Sequence, residues 1–172
     1  MKGHLEFEKI LQYVAISSLR VEPAESMKNF PKGAGRTDYC TVFEWLRRRD
    51  VRRILRVVVQ DDHPISADSP RAHSDAAIKH ALDGFQIEVW DWQKLDISID
   101  TIKSVAPDVH EVHLYSSGNN AVMRGWSDTQ GLLILDQVRN TFLVYNRYSS
   151  TTLVISLIQC LSSNSWKRFI SM

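Results

Sequence analysis

The sequence predicts an α/β fold in which three or more parallel strands alternate with helices. Three observations predict it. One short apolar pattern occurs three times, as Val57-Val58-Val59-Gln60-Asp61, Ile87-Glu88-Val89-Trp90-Asp91 and Val112-His113-Leu114-Tyr115-Ser116. The copies lie about 25 to 30 residues apart, the scale on which stacked repeats or βα units recur. A helix-like segment precedes each copy, and strands joined through helices run parallel.

Taken in order, Leu5, Ile10, Leu11, Val14 and Leu19 approximate helical spacing and predict an amphipathic helix over residues 5–19. Val21 to Arg36 holds Pro23, Pro31, Gly33 and Gly35, so it reads as a loop or linker. Thr37 or Asp38, or later Thr41, caps the next helix. Its apolar side is Val42, Phe43, Trp45 and Leu46, and Arg47 to Arg49 fall in its last turn, where cations suit the dipole.

The first strand is Ile54 to Gln60, a nearly continuous apolar run that fits a strand covered on both faces. Asp61 to Ala72 is a polar loop with Pro64 and Pro70. Ser74 caps a helix from Asp75 to Leu82, with Ala77, Ile78, Ala81 and Leu82 as its stripe and Gly84 as its stop. Phe85 to Trp92 is the second strand. Strict alternation puts Phe85, Ile87 and Val89 on one face and Glu88, Trp90 and Trp92 on the other. Ser98 caps Ile99 to Val105, and Pro107 ends that helix. Val109 to Tyr115 is the third strand, Ser116 to Asn120 a turn, and Ala121 to Trp126 opens another helix.

Two architectures satisfy this alternation. One is a small open parallel sheet with helices on both faces. The other is an irregular leucine-rich-repeat-like fragment with every helix on one side. Val109 to Val122, with Val112, Leu114 and Asn119 or Asn120, loosely resembles a leucine-rich strand and its asparagine turn.

With 172 residues the chain can bury the core of one domain. The organisation expected is an N-terminal helix and linker (1–31), an α/β module (32–132) and an atypical C-terminal tail (133–172). A formal charge of +1 supplies no whole-molecule field for nucleic acid or an anionic membrane. Cys40 and Cys160 make no disulfide framework and no metal spacing. Glu6, Glu8 and Lys9 break any signal-peptide stretch, and the longest apolar run, Thr151 to Leu161, is too short to span a bilayer. A cytoplasmic protein is the expectation.

Several blocks, in order, resemble the region upstream of the protease domain in predicted fungal subtilisin-like (S8-type) serine proteases. They are Lys32-Gly33-Ala34-Gly35-Arg36-Thr37-Asp38, Phe43-Glu44-Trp45-Leu46, Val51-Arg52-Arg53-Ile54-Leu55-Arg56-Val57, His73-Ser74-Asp75-Ala76-Ala77-Ile78, Val89-Trp90-Asp91-Trp92, and Leu114-Tyr115-Ser116-Ser117-Gly118-Asn119-Asn120-Ala121-Val122 followed by Gly125-Trp126-Ser127. The similarity covers about residues 32–132. In that family a catalytic domain follows, with an Asp near a strand end, a His-Gly-Thr segment and a Gly-Thr-Ser segment. Here no His is followed by Gly and no Gly by Thr-Ser. The resemblance therefore implies a non-catalytic module, truncated near Leu132, that contacts or senses a protein partner.

Candidate chemistry is sparse. Asp61, Asp62 and His63 follow a buried strand, where open α/β sheets place ligand sites. They are the acid/base or Mg²⁺-binding candidates of an alternative reading as a small α/β enzyme. Trp90, Trp92 and Tyr115 share a register. They line a binding surface if helices cover only the other face, and are core if helices cover both. His110 and His113 point to opposite sides of a strand, and His73 and His80 flank a helix and read as exposed. Cys40 lacks a local base and reads as inert. Gly33-Ala34-Gly35 follows Lys32, the reverse of a P-loop, and reads as linker. The arginines at 47, 48, 49, 52, 53 and 56 read as a solvated, partly paired face among Glu44 and Asp50. No cofactor or metal is expected. A leucine-rich-repeat-like binding module unrelated to proteases is the remaining alternative.

Overall fold

A computed structural model describes residues 8–17, 21–22, 35–61, 72–145 and 153–156. In chain order they form β1 (Ile10–Ile16), α1 (Asp38–Arg48), β2 (Arg53–Gln60), α2 (Asp75–Leu82), β3 (Gln86–Gln93), α3 (Ile99–Val105), β4 (Glu111–Ser116), α4 (Asn120–Ser127), a 3-10 turn (Leu132–Ile134), β5 (Asn140–Tyr145) and β6 (Leu153–Ser156). Strands β1 to β5 are parallel and lie side by side in chain order, and β6 pairs antiparallel with β5. This is an α/β fold. Right-handed crossovers between successive neighbours place every connecting helix on the same face of the sheet. In agreement, α1 packs on α2 and α2 on α3.

The core lies between that helix layer and the sheet. Phe43, Ile78, Leu82 and Ile102 meet Ile54, Val57, Val59, Trp90, Trp92, Val112 and Leu114, all fully buried. Each such side chain contributes on the order of 1.5–3 kcal/mol through burial. Phe43 stacks near Trp92 and meets Phe85 edge-on, with centroids 6.1 Å apart in both pairs. Capping follows the expected chemistry at two helices. Ser74 Oγ accepts the Ala77 N–H at 3.1 Å, and Asn119 Oδ1 accepts the Ala121 N–H at 2.9 Å. Gly84 ends the α2 turn at φ +79, a left-handed conformation that suits glycine.

The N-terminal segment corrects one expectation. Residues 10–16 are a strand, not part of a helix. The misleading signal has a physical origin. In β1 the helix-side residues are Leu11, Val14 and Ile16; in β2 they are Ile54, Val57 and Val59; in β3 they are Ile87, Trp90 and Trp92. Each set steps by three and then by two, and the three sets are aligned by pairing of Leu11 with Ile54, Ile54 with Ile87, Val14 with Val57, and Val57 with Trp90. A one-residue break in the pleat thus crosses three strands in register. In β1 its spacing imitates a helical stripe. In β3 it moves Trp90 and Trp92 onto the face of Ile87, against strict alternation.

The expected boundary at residue 132 does not end the sheet. β5 pairs along the whole of β4, from Glu111 with Asn140 to Ser116 with Tyr145. Leu132, Leu135, Thr141 and Leu143 are buried. Gly131 makes the turn into this segment possible, because a Cβ there would strike the carbonyl oxygens of Gly125 and Trp126.

Candidate functional site

At the C-terminal end of β2, Asp61 leaves the sheet beneath the helix layer and stays buried. One carboxylate oxygen accepts the Trp92 indole N–H at 2.9 Å, and the other lies 2.9 Å from His73 Nδ1. The His73 backbone N–H also donates to this carboxylate, at 3.1 Å. His73 is 0 % exposed. Its Nε2 lies 3.2 Å from Asp38 Oδ1, at the start of α1. Asp38 in turn accepts from the Arg36 guanidinium at 2.8 and 3.1 Å and from the Val21 N–H at 3.2 Å. Tyr39 stacks on the imidazole at 4.6 Å, and the Arg36 guanidinium lies over the Tyr39 ring, 4.5 Å from its centroid. Trp92 meets the imidazole edge-on at 5.8 Å. The result is a buried string, Arg36–Asp38–His73–Asp61–Trp92.

Both ring nitrogens of His73 lie within reach of carboxylate oxygens, which can only accept, and the Tyr39 N–H also approaches Nε2 at 3.4 Å. Burial by itself opposes charge on all these groups. For His73 the hydrogen bonds and charges of Asp38 and Asp61 outweigh burial and raise its pKa. Burial is likewise outweighed at Asp61, where His73 and the Trp92 indole hold the carboxyl below its usual range. Asp38 is held well below that range against its burial by His73, Arg36 and the Val21 N–H.

This string corrects several sequence expectations. Asp61, read as a strand-end candidate, is a buried partner of His73 and Trp92. Asp62 and His63 lie outside the described residues. His73 is buried, not exposed, while His80 is partly exposed and pairs with Glu44 at 3.3 Å. The two carboxylates of the string take opposite edges of one ring and cannot chelate a common ion. Among the described residues no group of three or more His, Cys, Asp or Glu could hold a metal. Cys40 is buried, its Sγ–H donating to the Ala77 carbonyl at 3.3 Å, and burial with the nearby Glu44 charge pushes the thiol up to about 12. It is no nucleophile.

Trp90 and Trp92 are each 0 % exposed and form core, so neither reaches a binding surface. Tyr115 parts from them. It stands on the sheet face away from the helices and donates to Asp91 Oδ1 at 2.6 Å. Burial, then that bond and the Asp91 charge, raise its pKa far beyond the usual phenol range. On the same face Arg53 pairs with Glu88, Arg56 with Glu111 at 3.2 Å, and His113 with Glu111 at 2.9 Å while stacking on Phe142. Ile10 and Tyr13 of β1 are exposed.

The arginine run disperses over several surfaces. Arg47 reaches the His80 and Ala81 carbonyls at the end of α2, at 2.8 and 2.9 Å. Arg48 pairs with Glu44, Arg49 lies over Trp45, and Arg52 pairs with Asp50. No single basic patch forms from it. Beside α4, a cavity of about 390 Å³ is lined by Asp96, Ile99, Asp100, Val122, Trp126 and Asp128, among others. It is open to solvent, and Trp126 at its base is tied to the Ile97 carbonyl at 2.9 Å.

No family model, no curated protein and no solved structure matches the chain. Among the described residues no helix is long and apolar enough to cross a membrane.

Proposed function

We propose that the chain is a non-catalytic protein-interaction module, of the kind implied by its resemblance to the N-terminal region of fungal subtilisin-like serine proteases. The observation that supports this most is the sheet face on which no helix lies among the described residues. It carries Arg53 and Arg56 on β2 and Glu88 on β3, then the partly buried Glu111, His113 and Tyr115 on β4, with the Tyr115 partner Asp91 buried. Arginines of β2 pair with acids of β3 and β4, so the face has no single-sign field for nucleic acid or lipid. A polypeptide surface of mixed charge, with Tyr115 as an aromatic anchor, is the matching occupant. The same geometry serves a binding module with no kinship to proteases. Catalysis has little support, since Asp61 is consumed by structural bonds and Cys40 is inert.

Two measurements test this reading. Labelling of the purified chain with a fluorophosphonate should be absent, and labelling would refute the non-catalytic claim. A photo-crosslinking residue at His113, compared with one at Asp83 beyond the end of α2, should give protein adducts in cells at His113 only. Adducts at neither position, or equally at both, would refute binding through this face.

A further inference from the structure

We propose that Asp38, His73 and Asp61 form a protonation-operated latch: doubly protonated His73 holds the segment before α1 and the lead into α2 against the end of β2, and loss of one ring proton opens it. This goes beyond the interaction reading and concerns the helix side of the sheet, away from the open face.

The geometry points to a latch because one ring joins three separate stretches of chain. Asp61 belongs to the end of β2, Asp38 to the start of α1, and His73 to the approach to α2. Isolated bridges tie Gly35 and Arg36 to His73 as well. A neutral imidazole has only one N–H. If it stays on Nδ1, the Nε2 lone pair faces Asp38 Oδ1 at 3.2 Å; if it stays on Nε2, a lone pair faces Asp61 Oδ1 at 2.9 Å. Either tautomer sets a buried lone pair against a buried carboxylate. The Tyr39 N–H, 3.4 Å from Nε2, can answer that lone pair but leaves Asp38 without its imidazole donor.

Charge gives the same answer. Among the described residues, the charged groups facing His73 are Asp38 from α1, backed by Arg36, and Asp61 from the end of β2. β3 contributes only the Trp92 edge, and α1 also the Tyr39 ring. Asp75 of α2 is occupied by Lys94 and Thr101. Two carboxylates and one guanidinium need one imidazolium to be neutral; deprotonation leaves a buried negative charge. The sign of the pH dependence follows. With its folded pKa raised, His73 keeps the latch fully closed below its ordinary value of about 6.5, and closure weakens as pH rises from there through the raised value.

Hydrogen–deuterium exchange of the full chain between about pH 5.5 and 9 tests this, after correction for intrinsic exchange. Amides of residues 35–39 and 72–75 should lose protection as pH rises, by up to about tenfold per pH unit, while α3 amides keep theirs. Imidazole ¹⁵N shifts of His73 should show both nitrogens protonated near about pH 6. Asp38→Asn, whose amide can offer either N–H or oxygen to the ring, should abolish the pH dependence. Flat protection in the wild type, a singly protonated ring at that pH, or unchanged pH dependence in Asp38→Asn would each overturn the latch.

Discussion

At the residue scale, His73 and Asp61 carry the most consequence. Removing Asp61 with Asp61→Ala leaves a buried imidazolium facing one carboxylate and frees the Trp92 indole. A loss of about 3–5 kcal/mol is expected, measured by urea unfolding. Acid should act the same way. The folded pKa values of Asp38 and Asp61 are depressed. Their contribution is therefore complete above about pH 4 and lost as pH falls through the lowered values. Unfolding midpoints followed below that pH should drop more steeply in the wild type than in Asp61→Asn. The two buried tryptophans make a matched pair. Trp92 Nε1 donates to Asp61, whereas Trp90 Nε1 is buried without a partner among the described residues. Trp92→Phe should cost about 1–3 kcal/mol more than Trp90→Phe, by the same unfolding assay, because it alone breaks a charge-assisted bond. Little of this site was legible in the sequence. Asp61 stood out as a strand-end acid, but Asp38 read as a helix cap and His73 as an exposed residue flanking a helix. Their partnership spans residues 38, 61 and 73, and only the fold brings them to one ring.

At the element scale, local signals worked where local forces decide. Ser74 before Ala77, the stripe of α2, Gly84 after Leu82 and Pro107 after α3 all mark ends set by backbone chemistry within one turn. The central strands were likewise readable from β-branched runs. β1 was not. Its three-then-two spacing comes from the pleat break it shares with β2 and β3, a property of the sheet rather than of the segment. The same break hid the true faces of Trp90 and Trp92. The turn after α4 offers an element-scale prediction. Gly131→Ala puts a methyl against the carbonyls of Gly125 and Trp126, backbone atoms that cannot swing aside. A loss of about 1–3 kcal/mol is expected by thermal or urea unfolding. The tighter the packing of Leu132 and Leu135 on the core, the nearer the upper value it should fall.

At the scale of the whole molecule, the alternation of strand and helix was legible, and so was parallel pairing. Which face the helices occupy was not, since that depends on strand order. Order β1 to β5 in sequence, with crossovers of one hand, puts them all on one side. That single geometric fact buries the tryptophans, sets the half-buried Tyr115 and the paired charges of β2 to β4 on the opposite face, and underlies the proposed interaction face. Thiol accessibility tests it most directly. In a Cys160→Ser background, Arg56→Cys and His113→Cys should react rapidly with a small alkylating reagent in the native chain. Val57→Cys and Val112→Cys, one residue away on the helix side, should react only at the rate of unfolding. Equal protection of all four thiols would mean that helices cover both faces, and faster reaction at 57 and 112 would reverse the faces altogether.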